Sequence, residues 1–518
     1  MTRLSNPAYS TWLLDDQLSP RTASLVSDSK PVILMVESRW GARRLIFHKH
    51  SLVLCYAAMR HRASSLEQSG CQVDYYSLQS KAKNYQEALV SHAKKFRVKT
   101  LRVMESSDWS MQQKIPLLAE RAGMRLEWVK SNQFLCHRED FKKWAGGKNK
   151  LLMETHYRRM RRSLGILVDE NGEPEGGQWN YDHDNRSGIR DFVKAGGPRT
   201  LSKLRPPRCE PDDITRQVMR EVDALFPDHP GDTGDFWLPT SREQALAWFE
   251  LFLKERFEQF GSYEDLMVEG EPVLFHSVLS PLLNIGLLDP LEVVERVVRE
   301  YRARKLPLNS VEGFIRQIIG WREFIHGVYW TRMPEYREVN GLRATRKLPG
   351  FFYTGDTEMN CLAQVIGQVK QFAYAHHIQR LMVLGNFFLL AQIAPKEVNR
   401  WFIEMFVDAY EWVMLANVFG MILHADGGYM ATKPYAASGA YIKKMSNYCA
   451  NCSFDPDKKT GPGACPFNYL YWNFFATHAT QFAGNPRVSM MVKMWEKKPE
   501  PEKRAILAEA RAFLEGLK

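Results

Sequence analysis

The sequence has no run of about 18 predominantly apolar residues, so nothing in it reads as a transmembrane helix. No secretory leader is expected either, because Asp15 and Asp16 interrupt the N-terminal apolar stretch. There is no internal repeat and no low-complexity tract, which excludes repeat architectures. Cysteine is scarce, with 8 among 518 residues, too few for a disulfide scaffold. In a reducing compartment, cysteines that do cluster are metal ligands or redox groups. These absences predict an intracellular, cytoplasmic protein that does not enter a membrane. What is present points to packed cores. The chain is 45% hydrophobic and 12% aromatic with 14 Trp, unlike a disordered polymer. Its length suggests two or three domains. The net charge of +11 suits a nucleic-acid partner or an anionic surface, and equally a plain solvated basic face.

The N-terminal part alternates short apolar runs with helical patterns. Strands are expected at 31–36, 72–76, 100–104 and 125–129, with helices at 56–66, 85–96 and 110–122 between them. Strand–helix alternation implies a parallel sheet wrapped by helices, with ligands beyond the strand C-termini, here near Glu37 and Glu105. Between 165 and 235 the periodicity fails. Gly176-Gly177, Gly196-Gly197-Pro198 and Pro206-Pro207 mark a long linker. From Ser241 onward the pattern is helical, at 243–260, 291–302, 311–329, 361–390 and 395–409. The predicted division is an α/β domain over 1–140, a linker over 141–235 and an all-helical domain over 236–518.

Cys449-Ala-Asn-Cys452 is followed by Cys465-Pro466. Two residues between cysteines let the chain turn around one metal centre, and proline after a cysteine is common in iron–sulfur loops. Cys361, which opens a helix in the same domain, is the best fourth ligand. Spacing alone does not separate an iron–sulfur cluster from a structural four-cysteine zinc site, and reduced unliganded thiols are a third reading. Cys55, Cys71, Cys136 and Cys209 look unclustered.

Several stretches of the linker and the helical part are unusual for plain loops and core helices. These are 176–186 (GGQWNYDHDNR), 276–289 (HSVLSPLLNIGLLD), 311–324 (VEGFIRQIIGWREF), Met359-Asn-Cys361, 373–382 (AYAHHIQRLM), Asp408-Ala-Tyr-Glu-Trp412, Ala425-Asp-Gly-Gly428 and 432–439 (TKPYAASG). Taken singly, each has an ordinary explanation. The serines before 281 could be caps, and Arg380 and Asp408 could be a helix–helix ion pair. Together they resemble the photolyase/cryptochrome superfamily. Within it they are most similar to the bacterial branch that carries an iron–sulfur cluster and a ribityllumazine antenna, whose characterised members repair (6-4) photoproducts.

The resemblance implies FAD folded inside the helical domain. Arg380 and Asp408 match the pair at the flavin ring; Ser277, Leu279 and Ser280 match the phosphate-contacting stretch; Trp321 and Arg322 match the helix bordering the cavity. His377, with His376 beside it, matches the active-site histidine, and a histidine near its ordinary pKa suits proton supply to the lesion. Leu381 occupies the position of a second histidine in the animal (6-4) enzymes. Tyr435 and Lys433 are expected at the cavity rim, where a basic edge attracts UV-damaged DNA and receives a flipped lesion. Trp401 matches the aromatic next to the flavin in the photoreduction chain. The following position, usually Trp, is Tyr353, whose oxidation requires loss of its proton. Met414 is a further departure where an acidic residue is frequent.

The resemblance also implies a [4Fe-4S] cluster on Cys361, Cys449, Cys452 and Cys465, and a 6,7-dimethyl-8-ribityllumazine antenna. Asp16, Glu37, Glu105, Ser106 and Trp109 are the candidate antenna contacts, capping and loop roles being their bland alternative. The expected activity is that of a (6-4) DNA photolyase, monomeric and nucleoid-associated. A cryptochrome-like blue-light receptor on the same scaffold is the alternative. A primase-like helical iron–sulfur module would leave the α/β part and the Arg380–Asp408 spacing unexplained.

Overall fold

The computed structural model describes residues 9–26, 31–204 and 206–517. Five strands form one parallel sheet: β1 (Ser10–Trp12), β2 (Val32–Val36), β3 (Gln72–Tyr76), β4 (Thr100–Met104) and β5 (Arg125–Val129), in the order β3-β2-β1-β4-β5. The β2 sequence Val-Ile-Leu-Met-Val is buried throughout, as a strand covered by helices on both faces requires. Helices Lys49–Gln68, Tyr85–Phe96 and Trp109–Arg121 make the crossovers, and Asn84 and Asp108 cap two of them. Four of the five strands fall where the alternation places them. The central one, β1, was not expected. It has three residues, two of them hydroxylic, and its polarity is satisfied internally: Ser10 Oγ lies 2.7 Å from His92 Nε2.

The expected linker is folded. Met153–Leu164 and Asp213–Leu225 are helices, with short turns between them. Tyr157, Leu167, Val218 and Phe226 enter a core that also holds Ile33 and Met35 of the sheet and Leu282, Val294 and Ile319 of the helical part. The two parts therefore share a core instead of being joined by a free connection. The glycines and prolines that suggested a linker are turn residues between short helices. At the sheet's C-terminal edge, Leu18 N–H donates to Ile285 O (3.0 Å), and Gly286 adopts φ +80° against Ser19, where a Cβ would sit 3.0 Å from Ser19 N. The helical part thus closes over the crevice of the sheet.

Two stretches expected as continuous helices, 311–329 and 361–390, depart from α geometry, as does a third beyond the expected ranges. Arg316–Arg322, Gln379–Gly385 and Ala416–Ile422 are π-helical turns set into α-helices. π turns rotate side chains out of α register and are frequent at functional sites. Each contains a glycine at a tight contact; a Cβ on Gly385 would meet Ile422 Cγ2 at 2.8 Å. The expected 361–390 helix is also interrupted. It ends at Phe372, Ala373 takes a left-handed cap (φ +53°), and the chain restarts near Ile378. That break is what turns His376 and His377 inward. Among the described residues, no helix is long and apolar enough to cross a membrane.

Candidate functional site

The three π turns face one cavity of about 300 Å³. Gln317, Trp321 and Arg322 come from the first, Arg380 and Leu381 from the second, Asn417 and Met421 from the third. A mostly apolar pocket with a few converging polar groups is the usual form of a cofactor site.

Its polar centre is the Arg380–Asp408 pair. Arg380 Nη1 and Nη2 donate to the two Asp408 oxygens at 2.9 and 3.0 Å. Ser280 Oγ donates to Asp408 Oδ2 at 2.6 Å, and Asn284 Nδ2 to the Asp408 carbonyl at 2.9 Å. Arg380 Nε donates to Ala375 O at 2.6 Å. This fork–fork geometry fixes both planes, which a lysine could not do. Ser277 and Leu279 line the same wall, as expected. The Ser280 hydroxyl proton, however, is directed at Asp408, so the role foreseen for it at a phosphate is shared with orienting that carboxylate. Arg322, buried, is neutralised by Glu323 at 2.8 Å and lies over the Phe134 ring at 4.2 Å.

His377 opens into the cavity, so its ring is exposed to that space, yet protein encloses the region around it. That enclosure, with Arg380 as a second cause, lowers its pKa to about 4. The histidine is therefore neutral near pH 7, and the expectation of a pKa near neutrality is corrected by desolvation. His376 does not line the cavity. It is buried and stacks on His276, with ring centroids 4.3 Å apart and planes 12° off parallel. His276 does line the cavity, and burial first, then His377, lowers its pKa to about 3. Leu381 also faces the cavity, so the second imidazole near His377 comes from a different segment, at 276.

Glu264 was missed by sequence reading. It lines the cavity, accepts from Gln317 Nε2 (2.8 Å) and Asn185 Nδ2 (3.2 Å), and burial pushes its pKa up to about 8. The sequence offered only an acidic pair, Glu264-Asp265, directly before the apolar run 266–268. Met414 lines the cavity as a thioether with no proton to give, and Asn417, one turn on, supplies an amide to the same wall.

The photoreduction candidates lie behind the wall. Trp401 is fully buried and does not line the cavity; Phe402, which does, is 5.3 Å away, and Phe406 is 5.6 Å away. Trp401 Nε1 donates to Phe352 O at 3.1 Å. The next residue, Tyr353, reaches the surface and donates its hydroxyl to the buried carboxylate of Glu404 at 2.7 Å. Tyr435 and Lys433 are not cavity-lining either. Lys433 Nζ lies 5.8 Å from the Tyr435 ring, and burial, then Arg487 and Arg186, lowers the Lys433 pKa.

Cys361, Cys449, Cys452 and Cys465 surround one small apolar cavity with Gly439, Ile442 and Phe467. Cys361, from a separate helix, thus lies beside the three cysteines of the 449–465 segment. Burial first, and the three neighbouring thiols second, push the Cys361 pKa up. Among the described residues, no group of three or more His, Cys, Asp or Glu side chains is drawn in as tightly as a single ion requires.

The antenna candidates are less open. Glu37 is saturated by Arg60, by Tyr75 Oη and by the Leu78 amide. Glu105 is held by Arg138, His137 and the Ser131 amide. Trp109 gives its amide to Tyr329 Oη, and its ring lies beneath Arg337. Ser106 is occupied locally by Gln112 and Asp108. Asp16 accepts from Ser107 Oγ and carries a pKa raised to about 7 by burial and by Asp15.

A family model described as deoxyribodipyrimidine photo-lyase-related protein matches residues 11–238. A (6-4) photolyase from Agrobacterium fabrum is 40% identical over 512 residues, covering 98% of this chain and 99% of that one. An uncharacterized protein of Acanthamoeba polyphaga mimivirus is 36% identical over 116 residues, 22% of this chain and 85% of its own length. Among solved structures, a class III photolyase from Agrobacterium tumefaciens superposes with TM-score 0.57 at 16% identity, covering 99% of each chain. A Synechocystis cryptochrome gives TM-score 0.58 at 14% identity, over 99% of this chain and 100% of that one. These two likenesses establish the fold.

Proposed function

The chain belongs to the photolyase family of its Agrobacterium fabrum relative, and from that membership we propose that it reverses (6-4) pyrimidine photoproducts in UV-damaged DNA under blue light. The observation that carries this reading is the cavity holding the forked Arg380–Asp408 pair with His377 open to the same space. FAD, when bound and reduced, supplies the chemistry by donating an electron to the lesion on excitation and taking it back after bond rearrangement. The residues fit that group. Asp408 is pinned by three donors, so its remaining lone pairs can accept from a ring N–H, while Arg380 places positive charge beside a group that gains electrons.

Reversal of a (6-4) product moves an oxygen between two bases and needs a proton at that oxygen. Neutral His377 can donate a hydrogen bond there. Glu264, protonated at neutral pH, is a proton source in the same cavity. Arg316, Asp265 and Asp182 face Glu264 and help set its titration.

The deciding experiment is blue-light repair of synthetic DNA carrying one (6-4) product or one cyclobutane dimer. Repair of the first and not the second is expected; repair of neither would leave a light receptor on this scaffold. His377→Ala should lose on the order of a hundredfold or more in (6-4) repair with flavin content unchanged. In the native protein the rate should fall as pH rises through about 8, where Glu264 ionises, and Glu264→Gln should remove that limb. An unaltered rate in His377→Ala would overturn the histidine's role.

For the cysteine cavity, the reading is a [4Fe-4S] cluster bound by Cys361, Cys449, Cys452 and Cys465. Four thiols around one cavity supply a full ligand set, and the resemblance to the iron–sulfur branch favours a cluster over zinc. Metal analysis should find iron with acid-labile sulfide, and Cys452→Ser should lower both. Zinc without sulfide would refute the assignment. A ribityllumazine antenna would rest on Asp16 in this chain, since the oxygens of Glu37 and Glu105 are already engaged.

A further inference from the structure

The basic excess of the chain is concentrated in one place. Residues 142–162 carry eight Lys or Arg and one acidic residue, Glu154, a net +7 out of the chain's +11. Three of those cations, Arg158, Arg159 and Arg162, line one open groove of about 780 Å³ with Trp144, Thr155 and the single carboxylate Glu154, and Lys148 sits at its edge over the Trp144 ring. No residue lines both this groove and the flavin cavity. The Met153–Leu164 helix lies between them and packs Met153 and Tyr157 against Gly320, in the π turn whose Trp321 and Arg322 face the cavity.

The cations are held in place. The Trp179 ring carries Arg162, Arg161 and Arg158 at 4.5, 5.0 and 5.4 Å, and the Trp144 ring carries Lys148 and Arg159 at 4.0 and 5.8 Å. Cation–π contact restrains long side chains that would otherwise be mobile. Partial neutralisation comes from exposed pairs, Glu154 with Arg158 and Glu173 with Arg162, which contribute little. Arg159 has no carboxylate partner among the described residues. It donates to Cys136 Sγ at 3.1 Å, and its buried Nε has no acceptor. Four of these cations, all but the buried Arg161, crowd the two rings where solvent reaches them, and an arriving polyanion relieves their mutual repulsion.

We propose that this groove is a second nucleic-acid contact, binding the phosphate backbone of duplex DNA outside the lesion pocket. Backbone contact is favoured over single-strand binding because each tryptophan ring is already engaged by cations that a stacking base would have to displace. The proposal takes the identity of the polymer from the DNA-repair reading, but its test needs neither light nor a lesion.

The test is the salt dependence of dark binding to an undamaged duplex by the flavin-loaded protein. Each lost phosphate contact lowers the slope of log K against log salt by about 0.9. The triple variant Arg158→Gln/Arg159→Gln/Arg162→Gln should therefore lower it by about 2 to 3. The pair Lys148→Gln/Lys150→Gln, two exposed lysines, should lower it by about 1 to 2 and guards against misfolding of the triple variant. Repair at saturating damaged DNA and low salt should stay within about twofold. An unchanged duplex slope in both variants, or a loss confined to single strands, would overturn the groove assignment. Absence of repair by the native protein, with the duplex slopes lowered in both variants as expected, would count against the repair reading alone.

Discussion

Asp408→Asn should emerge from purification without its flavin. The substitution keeps the shape of the side chain and removes one charge. Arg380 is then left with its Nε bond to Ala375 and a neutral amide in place of a two-oxygen acceptor. Its side chain is 14% exposed and that of Asp408 5%, so little water reaches the stranded cation. Removing one partner from a buried pair costs about 3 kcal/mol or more. Ser280 also loses the charged acceptor of its 2.6 Å hydrogen bond. Flavin absorbance per mole of protein and thermal unfolding should therefore fall together. Arg380→Lys should retain stability better than Asp408→Asn but bind flavin poorly, because an ammonium cannot hold both carboxylate oxygens in one plane. Full flavin content in Asp408→Asn would show that the pair is only a helix–helix ion pair, the ordinary explanation open from sequence.

The sheet was legible because its strands obey local rules. Val32–Val36 is an unbroken apolar run, and Thr100–Met104 and Arg125–Val129 sit between turn signals at the right spacing. β1 was not, because Ser10 and Thr11 have no strand pattern of their own; they are buried by pairing with β2 and β4 and by a hydrogen bond from a distant helix. The linker failed for the opposite reason. Its glycines and prolines are local signals, but Phe226 and Val218 are held by a core built from both ends of the chain. In the site, Arg380 and Asp408 were legible only through the family pattern, since 28 residues separate them and nothing local pairs them. The π turns left no periodicity that separates them from α-helix, so the inward rotation of Gln317 and Asn417 was invisible, as was the break at Ala373 that presents His377. Glu264 shows the limit most clearly. A carboxyl becomes a proton source only when tertiary burial raises its pKa, and burial is a property of the assembled cavity.

Glu404→Gln should slow light-driven reduction of the bound flavin by on the order of a hundredfold, although residue 404 neither lines the cavity nor is itself oxidised. The reason lies in the phenol beside it. A tyrosine that gives up an electron becomes strongly acidic and must lose its proton in the same event. Tyr353 has its pKa pushed above the ordinary phenol value, by burial first and by the Glu404 hydrogen bond second, so prior ionisation is closed to it. Glu404 supplies an acceptor 2.7 Å away, with Arg400 at 2.8 Å to stabilise the carboxylate. Trp401 and Glu404 are on one helix, Pro395–Met405, and Trp401 Nε1 bonds to the residue preceding Tyr353. In the proposed route Trp401 is oxidised first and Tyr353 refills it, and both rings are fixed relative to one proton acceptor. With that acceptor, tyrosine can replace the usual tryptophan without breaking the route. Tyr353→Phe should remove the step altogether. Tyr353→Trp should restore reduction and make it independent of Glu404, since an indole can hold a hole without losing a proton. The native protein should show a slower step in deuterated water and a neutral tyrosyl radical by electron paramagnetic resonance, both absent from Tyr353→Trp. Equal rates in ordinary and deuterated water, with Glu404→Gln unimpaired, would remove Tyr353 from the electron supply and leave Trp401 to be refilled by another route.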